Sequence, residues 1–206
     1  MVIYAALGHP PRWLWAVYFV SVMFIAGYYA WRADHLRLMP KLRVSEFFIL
    51  KTPNMTNTGR PSGESVWIQI LPKPITDAPV SDCQGHLLRV RCLNRNTGKW
   101  ETTAFNEPLP LGWSMAGHLP RTLHPGVDQR LNIFWVWSME PKQFKPCVEI
   151  MPLRAVNIFD PKDRFRFDVR ITAKDTEPLD VTLEAAYTDE WDKPELKLLS
   201  SGQAAS

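Results

Sequence analysis

Two histidines six residues apart are the closest pair of imidazole groups in the sequence. His118 and His124 lie in a stretch that contains proline and glycine, and Asp128 follows four residues later. Imidazole and carboxylate groups are ordinary zinc ligands, but zinc sites use tighter spacing and a second cluster of ligands. Neither feature is present, so we interpret these histidines as loop residues. We predict no metal site and no bound cofactor.

The three cysteines form no redox or zinc motif. Cys83 and Cys92 are nine residues apart, Cys147 stands alone, and the sequence contains no C-x-x-C pair. Cys92 falls on the apolar phase of a predicted strand, which is typical of a small core residue. An odd and sparse set of cysteines is characteristic of a reducing compartment.

The carboxylates suggest no general acid or base. Asp160 and Asp163 flank Pro161-Lys162, a turn signature that explains both. Glu184 falls on the polar phase of a predicted strand. The nucleophile elbow, the phosphate-binding loop and the dinucleotide fingerprint are all missing from the sequence. We therefore predict that no residue is catalytic and that the protein is not an enzyme.

The tryptophans suggest contact surfaces instead. The chain has nine, and six of them follow residue 31. Indole rings bury a large area with few rotatable bonds, so they concentrate in cores and at interfaces. We expect Trp113 and Trp135 to lie in the core. Trp67 is out of phase with its apolar neighbours and Trp191 sits among acids, so we predict that these two are protein-interface residues.

The longest uncharged segment of the sequence is an apolar stretch near the start. Nineteen residues, Trp13 to Trp31, carry no charge. As a helix they would span roughly 29 Å, close to the hydrocarbon thickness of a bilayer. Aromatic residues at both ends favour the headgroup level. We predict a transmembrane helix over residues 13–31. Its membrane-interface residues would be Trp13, Trp15, Tyr28, Tyr29, Trp31, Arg32, Arg37, Lys41 and Arg43.

The basic residues indicate an orientation. Arg12 is the only arginine or lysine before the apolar stretch, whereas four such residues follow it within about a dozen positions. The positive-inside tendency therefore places the C-terminal part in the cytoplasm, with the helix in the inner (cytoplasmic) membrane. Net charge is only +3, so we predict no nucleic-acid partner.

One side of the predicted helix is made of small and flexible residues at helical spacing. Small side chains let helices approach closely within lipid, where packing drives association. We predict a helix-docking face that would bind other integral membrane proteins, formed by Ala16, Val20, Met23, Gly27 and Ala30.

Beyond residue 42 the pattern changes to strands and turns. Phe165 to Thr172 alternates apolar and polar residues without a break, and Leu131 to Trp137 is apolar on both faces. Val44 to Leu50 is a weaker strand candidate. Eighteen prolines and frequent turn signals favour an all-β antiparallel sandwich of seven or eight strands. The predicted organisation is an interfacial segment (1–12), the helix (13–31), a basic juxtamembrane segment (32–51), the sandwich (52–192) and a flexible tail (193–206).

Two predicted turns, each followed by a strand, form a pattern that is known from other sandwiches. Leu123-His124-Pro125-Gly126 precedes the strand from Leu131, and Phe159-Asp160-Pro161-Lys162-Asp163 precedes the strand from Phe165. This pairing resembles immunoglobulin-like sandwiches. The segment from Val66 to Val90 resembles uncharacterised bacterial membrane-anchored proteins with such a domain. The resemblance implies an immunoglobulin-like fold and no particular activity.

Two hypotheses follow. The first is a single-pass accessory or scaffold subunit that stabilises a larger membrane protein complex through its helix and a cytoplasmic sandwich. The second is a membrane-anchored sensor or ligand-binding module, with its site in the loops from Trp113 to Asp128.

Overall fold

The computed structural model describes residues 12–38, 41–56, 58–103, 105, 107–150, 164–186 and 190–203. The chain divides into two compact units, residues 1–39 and residues 40–206.

The first unit contains helix α1, Arg12–Leu38. Within the described ranges it is the one helix that is long and apolar enough to cross a membrane. The 20-residue window Trp13–Arg32 has a mean hydropathy of 1.5 and no buried residue. A membrane span and a signal sequence both satisfy this criterion. The helix continues past Trp31 for about two turns. The predicted interfacial segment, apart from Arg12, lies outside the described residues.

The second unit consists of eleven described strands. They are β1 (Leu42–Met55), β2 (Pro61–Pro74), β3 (Val80–Leu93), β4 (Trp100–Thr102), β5 (Leu109–Pro110), β6 (Arg121–Leu123), β7 (Leu131–Trp137), β8 (Glu140–Pro146), β9 (Arg164–Thr172), β10 (Leu179–Ala186) and β11 (Glu195–Gln203).

These strands form two sheets in which all the described strand pairs are antiparallel. One sheet has the order β1-β2-β7-β8. The other has the order β11-β10-β9-β3-β4, and the short strands β5 and β6 also pair with β3. The predicted combination of one apolar helix with an antiparallel β-sandwich body is confirmed.

Phenylalanines join the two sheets at the centre of the core. Phe134 on β7 stacks on Phe167 of β9 with ring centroids 4.7 Å apart, and Phe144 of β8 meets Phe165 of β9 edge to face at 5.4 Å. All four side chains are fully buried. Such pairs add about 0.5–1.5 kcal/mol each beyond the area that they bury.

The structure differs from two predicted boundaries. Strand β1 begins at Leu42, inside the segment predicted as juxtamembrane to residue 51, because Leu42 and Val44 are buried in the core. Strand β11 covers most of the predicted flexible tail. It pairs with β10 along its length, and Leu196 and Leu198 pack against the core.

Local sequence signals explain most of the remaining elements. In the turn between β3 and β4, Gly98 has a φ of +67°, and Asn94 Oδ1 accepts the backbone N–H groups of Asn96 and Thr97. This is the glycine-containing hairpin that the sequence indicates. Strand β8 carries two prolines and gave no alternating pattern. It pairs with β7 on one side and ends the sheet, the position that strand prolines prefer.

Candidate interaction surfaces

The first candidate surface is a groove along the described helix. It has a volume of about 610 Å³ and is lined by Phe19, Val20, Met23, Phe24, Gly27, Tyr28 and Trp31. A Cβ atom added at Gly27 would meet nothing within 4 Å, so the floor of the groove is open. An uncharged groove of this kind can accept an apolar side chain or the backbone of another helix.

The groove includes three of the five predicted helix-docking residues. Val20, Met23 and Gly27 line it, whereas Ala16 and Ala30 do not. Its walls are aromatic side chains, which the spacing of small residues does not reveal. Phe19 lies one turn before Met23, at i−4, and forms part of the wall.

The predicted membrane-interface residues are mostly exposed. The five aromatic side chains are between 54% and 64% exposed: Trp13, Trp15, Tyr28, Tyr29 and Trp31. Arg32 and Arg43 are exposed, Lys41 is half-buried, and the side chain of Arg37 lies outside the described residues. The Lys41 carbonyl accepts the Ile75 N–H at 2.7 Å, so Lys41 already belongs to the sandwich.

The second candidate surface is the outer face of the four-stranded sheet. Trp67 and Trp135 face each other across β2 and β7 and stack with centroids 5.5 Å apart. Trp67 Nε1 donates a hydrogen bond to Thr52 Oγ1 at 3.0 Å. The ammonium of Lys145 lies 5.2 Å from the Trp135 centroid and 5.8 Å from that of Trp137. The result is a row of half-buried indoles under a cation.

The positions of the tryptophans differ from the prediction at Trp135 and agree with it at Trp67 and Trp113. Trp135 was expected in the core, but β7 directs its indole outward because the neighbouring Phe134 and Val136 fill the core. Trp67 is on the outer face, as its phase in β2 indicates. Trp113 is 3% exposed and belongs to the core, as expected.

Trp191 has a different environment from the one predicted. Its indole is half-buried and packs against the hydrophobic core, with the ammonium of Lys51 5.2 Å from the ring centroid. Lys51 in turn pairs with Glu64 at 2.8 Å and Asp192 at 3.2 Å. Trp191 therefore closes one edge of the sandwich and offers only part of its ring for docking.

The outer face of the seven-stranded sheet carries arginine–carboxylate pairs that the sequence did not reveal. Asp168 receives hydrogen bonds from Arg89 at 3.0 Å and Arg91 at 2.7 Å. Glu184 is paired with Arg164 and Arg166. Each of these carboxylates is thus held between two guanidinium groups.

Glu184 remains ionised for a physical reason. Its side chain is only 5% exposed, and this burial alone would raise its pKa. The hydrogen bonds from Arg166 and Arg164, together with the positive charges of these two groups, outweigh the effect of burial, so the pKa of Glu184 is lowered from its usual value. A carboxylate that is charged and fully paired stabilises the sheet and is poorly suited to accept a proton.

The third candidate surface is a cleft of about 440 Å³ formed mainly by the segment between β5 and β7. It lies in the loops from Trp113 to Asp128 that the second hypothesis selected. Backbone bonds fix its wall: Trp113 N–H donates to the Gly117 carbonyl at 2.7 Å, and Ser114 N–H donates to the Arg130 carbonyl at 2.8 Å. The lining residues are Leu50, Trp113, Ser114, Met115, Ala116, Arg121, Asp128, Gln129 and Arg130.

The two loop histidines do not line this cleft. His118 Nε2 lies 3.3 Å from the Cys147 carbonyl oxygen, and its ring packs over Gly112. His124 is exposed. Among the described residues, no three His, Cys, Asp or Glu side chains come close enough together to hold a metal ion.

Two of the three thiols are buried. Burial raises the pKa of the Cys83 thiol to about 11 and raises the pKa of the Cys147 thiol even further. Both are therefore neutral at physiological pH and weak nucleophiles. Cys92 is half-buried and packs against the core. None of the three cysteines forms a disulfide.

Comparison with known proteins gives no relative from which a role could be transferred. No family model matches this chain, and neither a curated protein nor a solved structure is significantly similar to it.

Proposed function

We propose that this protein is a non-enzymatic, single-pass membrane protein. It would act as an accessory or scaffold subunit that stabilises a larger membrane protein complex. The observation that carries this proposal is the groove over Gly27 on a helix of which no side chain in the span Trp13–Arg32 is buried. A solitary anchor needs only apolar length, whereas a groove with a glycine floor gives a second helix a place to pack.

The outer face of the four-stranded sheet supports the same proposal. Half-buried indoles stacked across Trp67 and Trp135 form a flat and rigid surface that loses little side-chain entropy on binding. We further propose that the sandwich is immunoglobulin-like, because its two antiparallel sheets pack face to face through one core.

We place the sandwich in the cytoplasm. Arg32, Arg37, Lys41 and Arg43 follow the apolar span, and basic residues at such positions favour the cytoplasmic side. Protease added to intact cells should leave the sandwich undigested, whereas protease added to inverted membrane vesicles should degrade it. Digestion in intact cells would contradict this orientation.

Photo-crosslinking from inside the helix tests the proposed docking. A photoreactive amino acid at Met23 lies in the groove, and the same amino acid at Ile25 is a matched control. Both side chains are exposed, at 72% and 56%, but two residues along a helix rotate the side chain by about 200°.

We expect Met23 to give one discrete crosslinked protein in native membranes and Ile25 to give lipid adducts only. Equal crosslinking from both positions would show that the groove has no special role. Crosslinking to lipid alone from both positions would contradict docking by the helix.

The cleft favours a second function, a membrane-anchored ligand-binding or sensing module. It is lined mainly by loop residues between β5 and β7, and loops held by a strand scaffold often carry binding sites. Thermal shifts of the full chain with small molecules test this function. Since the histidines do not line the cleft, substitutions His118→Ala and His124→Ala should leave such shifts unchanged, whereas changes to the lining residues should abolish them.

A further inference from the structure

We propose that the cleft between β5 and β7 binds an organic anion that carries an apolar body. This inference rests on the second proposed function, a ligand-binding module, and names the class of its ligand. The charges of the cleft, an unpaired N–H donor in its wall and its apolar lining favour a ligand of this class.

The charges in the cleft favour an anion. Arg121 and Arg130 line it, and neither forms an ion pair with a described residue. The one acid in the lining, Asp128, is paired with Lys73 at 3.2 Å. Counting these four side chains, the cleft carries a net charge of about +2. A guanidinium group with its donors unused is a suitable partner for a carboxylate or phosphate group.

Among the described residues, no carboxylate pairs with Arg130, and an aromatic ring supports its guanidinium group instead. Its guanidinium carbon lies 4.3 Å from the centroid of the Phe48 ring, which supports the planar group from one side. Its carbonyl accepts the Ser114 N–H, so the backbone is also fixed. The guanidinium donors of Arg130 are thus oriented by an aromatic ring and remain available to a ligand.

Two buried polar atoms in the cleft wall lack hydrogen-bond partners among the described residues. They are the indole Nε1 of Trp113 and the side-chain Oε1 of Gln129. Trp113 is 3% exposed, and buried polar atoms of this kind are nearly always paired in folded proteins. The Trp113 N–H is a donor, so an anionic oxygen bound in the cleft, with a small adjustment of the wall, would accept its hydrogen bond. Gln129 Oε1 is an acceptor and needs a donor instead of an anion.

The apolar part of the ligand would rest on the remaining lining. Leu50, Trp113 and Ala116 provide apolar surface, and Met115 stands fully exposed with a left-handed φ of +62°. A non-glycine residue in that conformation is strained and is found at functional loops. Because methionine is flexible and polarizable, Met115 can close over an apolar group.

Binding of three small probes to the full chain in lipid nanodiscs tests the proposal. The probes are phenylacetate, phenyl phosphate and the neutral phenylacetamide, which share one apolar body and differ in the head group. The variants are Arg121→Gln and Arg130→Gln. The matched control is Arg60→Gln, since Arg60 is exposed and lies outside the cleft. Affinity is measured by isothermal titration calorimetry and by thermal shift.

We expect one or both anions to bind saturably at millimolar concentration or better, and the neutral amide to bind at least tenfold more weakly. Each cleft arginine variant should lose about tenfold in affinity, while Arg60→Gln binds like the wild type. The preferred anion distinguishes a carboxylate ligand from a phosphate ligand.

Two outcomes would overturn the proposal. If the neutral amide binds as tightly as the anions, the cleft is a binding site of another class and the ligand-binding function itself still stands. If no probe binds saturably, or if both arginine variants bind like the wild type, the anion site is refuted. The accessory function is unaffected by either result, because the crosslinking test does not involve the cleft.

Discussion

Gly85 shows how closely single residues constrain this sandwich. A Cβ atom at this position on β3 would lie 2.3 Å from Cδ2 and 2.7 Å from Cδ1 of Leu131, a fully buried side chain in the core. Overpacking of this kind costs about 1–3 kcal/mol. We therefore predict that Gly85→Ala lowers the free energy of unfolding of the sandwich by this amount, measured by denaturant titration of the full chain in detergent.

Two further variants make the Gly85 result specific. Gly202→Ala, on an exposed part of β11 where a new Cβ meets nothing within 4 Å, should change stability by less than about 0.5 kcal/mol. Leu131→Val shortens the obstructing side chain, so the double variant with Gly85→Ala should be more stable than the sum of the single effects predicts. Strict additivity would show that Leu131 is not the cause.

The buried thiols give a second prediction at this scale. Because Cys83 and Cys147 are neutral and buried, we expect neither to react with iodoacetamide at pH 8 within an hour in the folded protein. Both should react within minutes after unfolding in guanidinium chloride. Mass spectrometry of the alkylated peptides measures this. Rapid labelling of either thiol in the folded chain would contradict the packing described here.

At the scale of elements, the arginine–carboxylate pairs of Glu184 link β9 to β10, and those of Asp168 link β9 to β3. The folded-state pKa of Glu184 is lower than the ordinary value of about 4.3 that applies to the unfolded chain. Its contribution to stability is therefore fully present above about pH 4.3 and is lost as the pH falls through the lower folded-state pKa. We predict that Glu184→Gln destabilises the sandwich by about 1.5–3 kcal/mol at pH 7.

The pH dependence separates this ion pair from a loss of packing. The difference in unfolding free energy between wild type and Glu184→Gln should shrink as the pH falls below about 4.3, because protonation removes the same charge in the wild type. Glu195→Gln, on the neighbouring strand with an exposed side chain, is the control and should have little effect at either pH. A difference that stays constant with pH would refute the electrostatic explanation.

The indole pair across β2 and β7 gives a prediction for the four-stranded sheet. Trp67 and Trp135 stack with an interplanar angle of 19°. A double-mutant cycle with Trp67→Leu and Trp135→Leu should therefore give a coupling free energy of about 0.5–1.5 kcal/mol in denaturant titrations. A coupling of zero would show that the rings do not stabilise each other in solution.

The sequence predicts some of these elements well and others poorly, for physical reasons. Strand β9 alternates apolar and polar residues without a break, so the sequence predicts it directly. The pattern arises because one face packs in the core and the other contacts charged partners. Strand β11 has a short alternating pattern of leucine and charge followed by serines, so composition suggested a tail. It is a strand because β10 supplies its hydrogen bonds, and a local pattern cannot reveal such a partner.

The candidate sites also differ in how far the sequence predicts them. The apolar helix and its Gly27 face can be read from spacing, because every neighbour on a helix is three or four residues away. For the cleft, the sequence indicates the loop that contains it but not the residues that line it. Its two arginines are nine residues apart, Arg121 on β6 and Arg130 in the loop before β7, and backbone hydrogen bonds across the loop bring them to one cleft. The pairing of Asp168 and Glu184 gave no sequence signal, since their arginine partners lie on neighbouring strands, 18 or more residues away along the chain.

At the scale of the whole molecule, the two compact units offer contact surfaces. The helix presents an uncharged groove, and the sandwich presents a tryptophan face and a basic cleft. The buried carboxylates and thiols are engaged in stability. This division is consistent with a protein whose work is to bind and position other molecules.

The most direct test of this central claim is native mass spectrometry of the protein purified from its own membranes in mild detergent. We predict that the wild type is recovered with an integral membrane protein at fixed stoichiometry. Gly27→Leu, which fills the groove floor, should reduce that recovery by at least tenfold, whereas Ile25→Leu on the other side should not. Consistent recovery of the wild type as a lone monomer would contradict the claim.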